Sequence, residues 1–178
     1  GRNIIKTKKI VEMKLRKFLA MMAAAIAITV GMSSCGSDDD NQEAAVAAQV
    51  AGAFNGHEVL TVSAGGSNTD FTRDTTYTFT KATDTTIALV IPAMDDMGHM
   101  SIPALTVKGI SLTTDGKTIN GTLDSYAGKA IVSDSIEKAF TVTNLVVVFS
   151  DKAAVVTYTL KYGNMPFPFA GQFTGVKN

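Results

Sequence analysis

The chain has 178 residues, 46% hydrophobic and 18% charged, with 16 Lys and Arg against 16 Asp and Glu. The neutrality is an average of unlike parts: residues 1–34 carry seven bases and one acid, the other 144 nine bases and fifteen acids. An acidic body without basic clusters argues against a nucleic-acid partner. A single cysteine excludes an internal disulfide or a cysteine-rich metal site, and two histidines leave little room for His-based catalysis.

Residues 1–12 precede Met13 and are expected to be a tag, a fragment or a mis-called start. Met13-Lys14-Leu15-Arg16-Lys17 is short and basic, and residues 18–32 are then uncharged and almost wholly apolar. Those 15 residues fall short of the roughly 20 that a membrane-spanning helix needs. They fit the apolar core of a secretory signal peptide, expected over residues 13–34. Gly31, Ser33 and Ser34 supply the small side chains a signal peptidase requires, and Cys35 follows directly. Ser33-Ser34-Cys35 resembles a bacterial lipobox, with Met32 standing where a branched aliphatic residue is usual. The resemblance implies cleavage between Ser34 and Cys35 and acylation of Cys35. The membrane is then a partner through the lipid anchor, since each buried methylene contributes about 0.8 kcal/mol.

Ser37-Asp38-Asp39-Asp40 comes next, and three adjacent carboxylates keep a segment hydrated and extended. The run resembles the export tag of surface lipoproteins of Bacteroidetes bacteria, which implies a lipid-anchored protein on the outer face of the outer membrane. Residues 35–49 are expected to be a tether, ending in an Ala-rich stretch that suits a short helical turn.

From residue 50 the period is two. Phe71, Arg73, Thr75, Tyr77 and Phe79 share one face against Thr72, Thr76, Thr78 and Thr80; Val156, Tyr158, Leu160 and Tyr162 oppose Val155, Thr157, Thr159 and Lys161. These are half-buried strands with a wet threonine face. Turn residues at 64–68, 115–116 and 150–152 punctuate them, Asp115-Gly116 being the strongest hairpin signal. Eight strands are predicted, over about 50–63, 70–81, 86–93, 104–114, 117–126, 138–149, 153–163 and 168–176. Two of them change phase, across Lys108-Gly109 and across Thr143-Asn144, as a β-bulge would require.

Ala51-Gly52-Ala53-Phe54-Asn55-Gly56 opens this body and Ala170-Gly171-Gln172-Phe173-Thr174-Gly175 ends it, both as Ala-Gly-x-Phe-x-Gly. Alternate glycines mark bending or close backbone approach, so the first and last strands are predicted to meet and close a barrel. The rival architecture is an open β-sandwich. The Phe54-Asn55-Gly56 opening, the Thr-rich strands, the Asp115-Gly116 hairpin and the closing 165–175 segment resemble the calycin-like (lipocalin-like) lipoproteins of Bacteroidetes. The resemblance implies an all-β, antiparallel up-and-down barrel of about eight strands over residues 50–178.

No Gly-x-Ser-x-Gly, His-Glu-x-x-His or phosphate-binding loop is present. His57 and its neighbour Glu58 point to opposite faces of a strand, and Asp95-Asp96 are adjacent in a loop rather than facing each other. The expectation is a non-enzyme without cofactors. Met94, Met97, His99 and Met100 form a set that suits Cu(I); the plainer reading is a loop whose thioethers cap one end of the barrel, with no metal site. Phe54, Tyr77, Phe79, Tyr158, Tyr162 and Phe173 alternate inward, and either line a cavity for a small apolar or amphipathic ligand or fill a small barrel. Two functions are therefore carried: a ligand-binding module and a structural or accessory surface protein.

Overall fold

The computed structural model describes residues 44–178, apart from Gly98, His99 and the side chain of Asp96. The expected signal peptide, Ser34, Cys35, and Ser37, Asp38, Asp39 and Asp40 lie outside the described residues, as does His99. A short helix, α1 (Val46–Val50), leads into ten strands. These are β1 (Gly52–Ala64), β2 (Ser67–Lys81), β3 (Thr86–Ile91), β4 (Met94–Met97), β5 (Met100–Ile102), β6 (Leu105–Thr114), β7 (Thr118–Ser133), β8 (Ile136–Ser150), β9 (Ala153–Tyr162) and β10 (Phe169–Lys177).

Eight strands close a barrel in the order β1-β10-β9-β8-β7-β6-β3-β2, and β4 and β5 form a separate hairpin. Every neighbouring pair is antiparallel. The closed barrel, not the open sandwich, is the architecture, and the seam is where the repeated motif predicted it. β1 pairs with β10, with Gly56 opposite Gly175. A Cβ on Gly56 would stand 2.0 Å from the Thr174 carbonyl oxygen and 2.4 Å from the Gly175 Cα, so the two backbones approach closer than any side chain permits.

Both phase changes are bulges. Opposite β3, β6 carries one extra residue between Val107 and Ile110, with Gly109 at φ 82°. Opposite β9, β8 carries one between Thr143 and Val146, with Asn144 at φ 52°. Each returns the apolar residues beyond it to the interior, so Ile110 and Leu112 stay buried with Leu105 and Val107, and Leu145 and Val147 with Phe140 and Val142.

The barrel has a base and a mouth. At the base α1 lies across the opening with Ala47 and Val50 buried, tied by the Ala47 amide donating to the Asp84 carbonyl at 3.1 Å. The Ala-rich stretch thus forms the expected turn, but it belongs to the packed body, so the expected tether of residues 35–49 ends earlier than 49. At the mouth the β4–β5 hairpin inserts Met94, Met97 and Ile102 into the core. This segment was expected to be a loop; Met-Asp-Asp-Met and Met-Ser-Ile are too short to show a period. β7 also runs to Ser133, past the predicted 126, because its apolar phase slips between Leu123 and Tyr126. It meets β6 only through residues 119–122, while β7 and β8 continue together to Ser133 and Ile136 as a two-stranded extension. The barrel, its base cover and its mouth cover all lie within residues 44–178, so this segment carries a complete core.

Candidate functional site at the barrel mouth

Gly65 and Gly66 join β1 to β2 in a two-residue turn, both at positive φ, 58° and 82°. Such a turn fixes hairpin register. Counting back from it, Glu58 stands directly opposite Arg73. Glu58 shares the inward face of Phe54 and Leu60, and Arg73 that of Tyr77 and Phe79, so opposite charges meet inside the barrel. Among the described residues Glu58 is the one fully buried charged side chain, 1% exposed.

An isolated buried carboxylate is costly, and this one is not isolated. Arg73 Nε donates to Glu58 Oε1 at 2.8 Å. Tyr77 donates its hydroxyl to Glu58 Oε2. Tyr158 Oη lies 2.8 Å from Tyr77 Oη, and because the Tyr77 proton is committed to Glu58, Tyr158 is the donor. Burial, reinforced by the neighbouring phenol and carboxylate, raises the Tyr77 hydroxyl well above its ordinary range; burial and Glu58 do the same to Tyr158. Both remain neutral donors at physiological pH. Tyr77 is held flat against Phe173, ring centroids 3.9 Å apart. Tyr158 crosses over its strand partner Gly171, where a Cβ would come within 2.3 Å of the ring.

Arg73 also reaches the mouth cover. Its Nη1 donates to the Ala93 carbonyl and its Nη2 to the Pro92 carbonyl, the latter at 3.0 Å. These two residues link β3 to β4, so one guanidinium pins the hairpin to the barrel wall. Between hairpin and wall opens a pocket of about 290 Å³, lined by Glu58, Leu60, Phe71 and Arg73 on one side and Met94 and Met97 on the other. Thr72 and Asp95 line it as well, so polar and apolar groups share its wall about equally around the Glu58–Arg73 pair; such a mix of apolar surface and fixed polar groups suits a small amphipathic molecule.

The six aromatics predicted for a cavity are all buried, but they divide. Phe54 and Phe79 pack edge to face at 5.5 Å with Phe149 against both, closing the interior near the base. Tyr77, Phe173 and Tyr158 occupy the middle. Tyr162 stands apart near the mouth, on the β8–β9 side. Met94 and Met97 are core residues of the cover, with Met100 packed against it, as the capping reading expected. Among the described residues no group of three or more His, Cys, Asp or Glu gathers, and no helix is long and apolar enough to cross a membrane. His57 faces outward, its Nδ1 2.9 Å from Asp74 Oδ1. The reading from sequence missed the Glu58–Arg73 pair, although the diglycine turn and the period of two contain it.

A family described as a calycin-like β-barrel domain matches residues 50–176. The chain belongs to the calycin-like β-barrel family. Its fold is similar to that of a candidate outer membrane protein of Bacteroides fragilis, at TM-score 0.56 and 21% identity over 76% of this chain and 54% of that one. A Bacteroides ovatus protein of unknown function aligns at TM-score 0.43 and 13% identity, over 72% and 42%. The calycin-like chain therefore spans about half the length of these solved proteins. No curated protein matches it.

Proposed function

We propose that this calycin-like protein is an outer-membrane lipoprotein, anchored through Cys35 and exposed at the cell surface, which binds a small amphipathic molecule at the barrel mouth. The observation that carries the binding reading is the mouth pocket, in which an ion-paired, hydrogen-bonded Glu58 and Arg73 lie beside Leu60, Phe71, Met94 and Met97, with Thr72 and Asp95 completing the wall. A filled barrel without a binding role has no need of a buried carboxylate; an apolar replacement of such a pair is often neutral or stabilising. The anchor reading rests on the basic, apolar, Ser33-Ser34-Cys35 order and on Asp38, Asp39 and Asp40. It draws support from the Bacteroides fragilis neighbour, itself a candidate outer membrane protein.

The packed cluster of Phe54, Phe79 and Phe149 favours a second reading, an accessory surface protein with a filled interior. Thermal unfolding of residues 36–178 separates the two. On the binding reading, an organic extract of the source cells raises the melting temperature with dose, as linkage requires. A Phe71→Trp variant, which fills the pocket, shows no such rise. An unchanged melting temperature in the parent supports the accessory role. For the anchor, Cys35→Ser must move the full chain out of the membrane fraction; if it stays, lipidation at Cys35 is wrong. Protease shaving of intact cells must distinguish the parent from a triple Asp→Ala variant at 38–40; equal cleavage removes the export role of those residues.

A further inference from the structure

The β4–β5 hairpin has a second side. β4 faces the Glu58–Arg73 pocket; β5 faces another pocket, of about 540 Å³, between the β7–β8 extension and the β9–β10 connection. Tyr162, Lys138, Glu137, Asn164, Met100 and Met165 are among the residues that line it. Tyr162 is 3% exposed, and its buried hydroxyl has no hydrogen-bond partner among the described residues. Every other buried side-chain polar atom among them has one. An orphaned buried hydroxyl is costly to keep, which marks the site as built for something that accepts from it.

Two charged side chains line it, Lys138 and Glu137, and only one of them is paired. The Lys138 ammonium lies 5.6 Å from the centre of the Tyr162 ring. The Glu137 carboxylate at the pocket wall is neutralised by Lys129 at 3.2 Å, which leaves Lys138 without an ion-pair partner among the described residues. Burial raises the Tyr162 phenol, so it is a donor at neutral pH. Donors at 162 and 138 beside thioether walls fit an anion carried on an apolar body. The wall continues outward: Val132 lines the same pocket, and Ile131 and Ile136 at the tip of the extension are 71% and 59% exposed.

We infer that this pocket is a second binding site, distinct from the mouth pocket, for the carboxylate of an amphipathic organic acid, with Tyr162 and Lys138 receiving the anion. The carboxylate lies against the Lys138 ammonium and draws the Tyr162 hydroxyl, now buried at the pocket wall, into a hydrogen bond that it accepts, while its chain runs over Met100, Met165 and Val132. Calorimetric titration of residues 36–178 with decanoate tests it, decanol serving as the uncharged control. The parent binds decanoate in preference to decanol. Tyr162→Phe and Lys138→Gln each weaken decanoate binding by about tenfold, the worth of a charge-assisted hydrogen bond. Tyr162→Phe melts no lower than the parent, because it deletes an unpaired group. Phe71→Trp, which blocks the mouth pocket, leaves decanoate affinity unchanged. Equal affinity for decanoate and decanol, or a Tyr162→Phe variant that binds as the parent does, overturns the site. Loss of decanoate binding in Phe71→Trp assigns the acid to the mouth pocket instead and overturns the second site alone.

Discussion

Gly56 and Gly175 stand opposite each other at the seam where the first strand meets the last. Neither has a side chain, and the backbone of β10 occupies the place a Gly56 Cβ would take. Gly56→Ala should therefore force the seam apart, costing about 2–3 kcal/mol, within the range of overpacked sites. Thr174→Ala, outward on the neighbouring position, should cost under about 0.5 kcal/mol. Denaturant unfolding of both variants checks this, and equal losses would mean that the seam tolerates separation.

The Glu58–Arg73 pair predicts a specific non-additivity. Arg73→Met leaves the buried carboxylate without its cation and should lose about 3 kcal/mol. Adding Glu58→Leu removes the stranded charge, so the double variant should recover most of that loss. A double variant that is weaker by the sum of the two single losses would show that the pair is not coupled.

Alkaline pH should unfold the barrel through Tyr77 and Tyr158. Both phenols titrate higher in the fold than in the open chain, principally because they are buried. Their preference for the folded state is full below the unfolded value of about pH 10 and is lost as pH rises from there toward the folded value. Stability should thus be insensitive to these groups near neutrality and fall above about pH 10. Tyr77→Phe removes one titrating group, so its stability should fall less steeply with pH than the parent's, whatever its absolute value. Parallel slopes would remove Tyr77 from the account.

The mouth cover should tolerate volume-conserving change. Met94 and Met97 are buried as flexible fillers, so Met97→Leu should cost under about 1.5 kcal/mol. Met97→Asp places a charge in the core and should cost far more. Melting curves for the pair decide whether the cover is packed as described.

Much of this fold was legible because its signals are local. The phase change at Lys108-Gly109 and the one at Thr143-Asn144 each sit within a few residues, and both are bulges. The echo of Ala-Gly-x-Phe-x-Gly is long-range, yet it survives in sequence because close approach admits only glycine at Gly56. What was not legible has physical reasons. β4 and β5 are four and three residues long and pair only with each other, so no period forms. The interior ion pair hid in the opposite way: Glu58 and Arg73 look like surface residues singly, and only the register set by Gly65 and Gly66 brings them together. The orphaned hydroxyl of Tyr162 depends on what surrounds it in space, which no spacing along the chain encodes.

On the proposed function the barrel mouth holds a small molecule. Native mass spectrometry of the chain purified from its own cells tests it most directly, with Phe71→Trp measured alongside. The expected result is a retained molecule on the parent, released on unfolding and absent from the variant. A parent that flies at its bare mass under conditions that preserve the fold, or a variant that retains the same molecule, would contradict it.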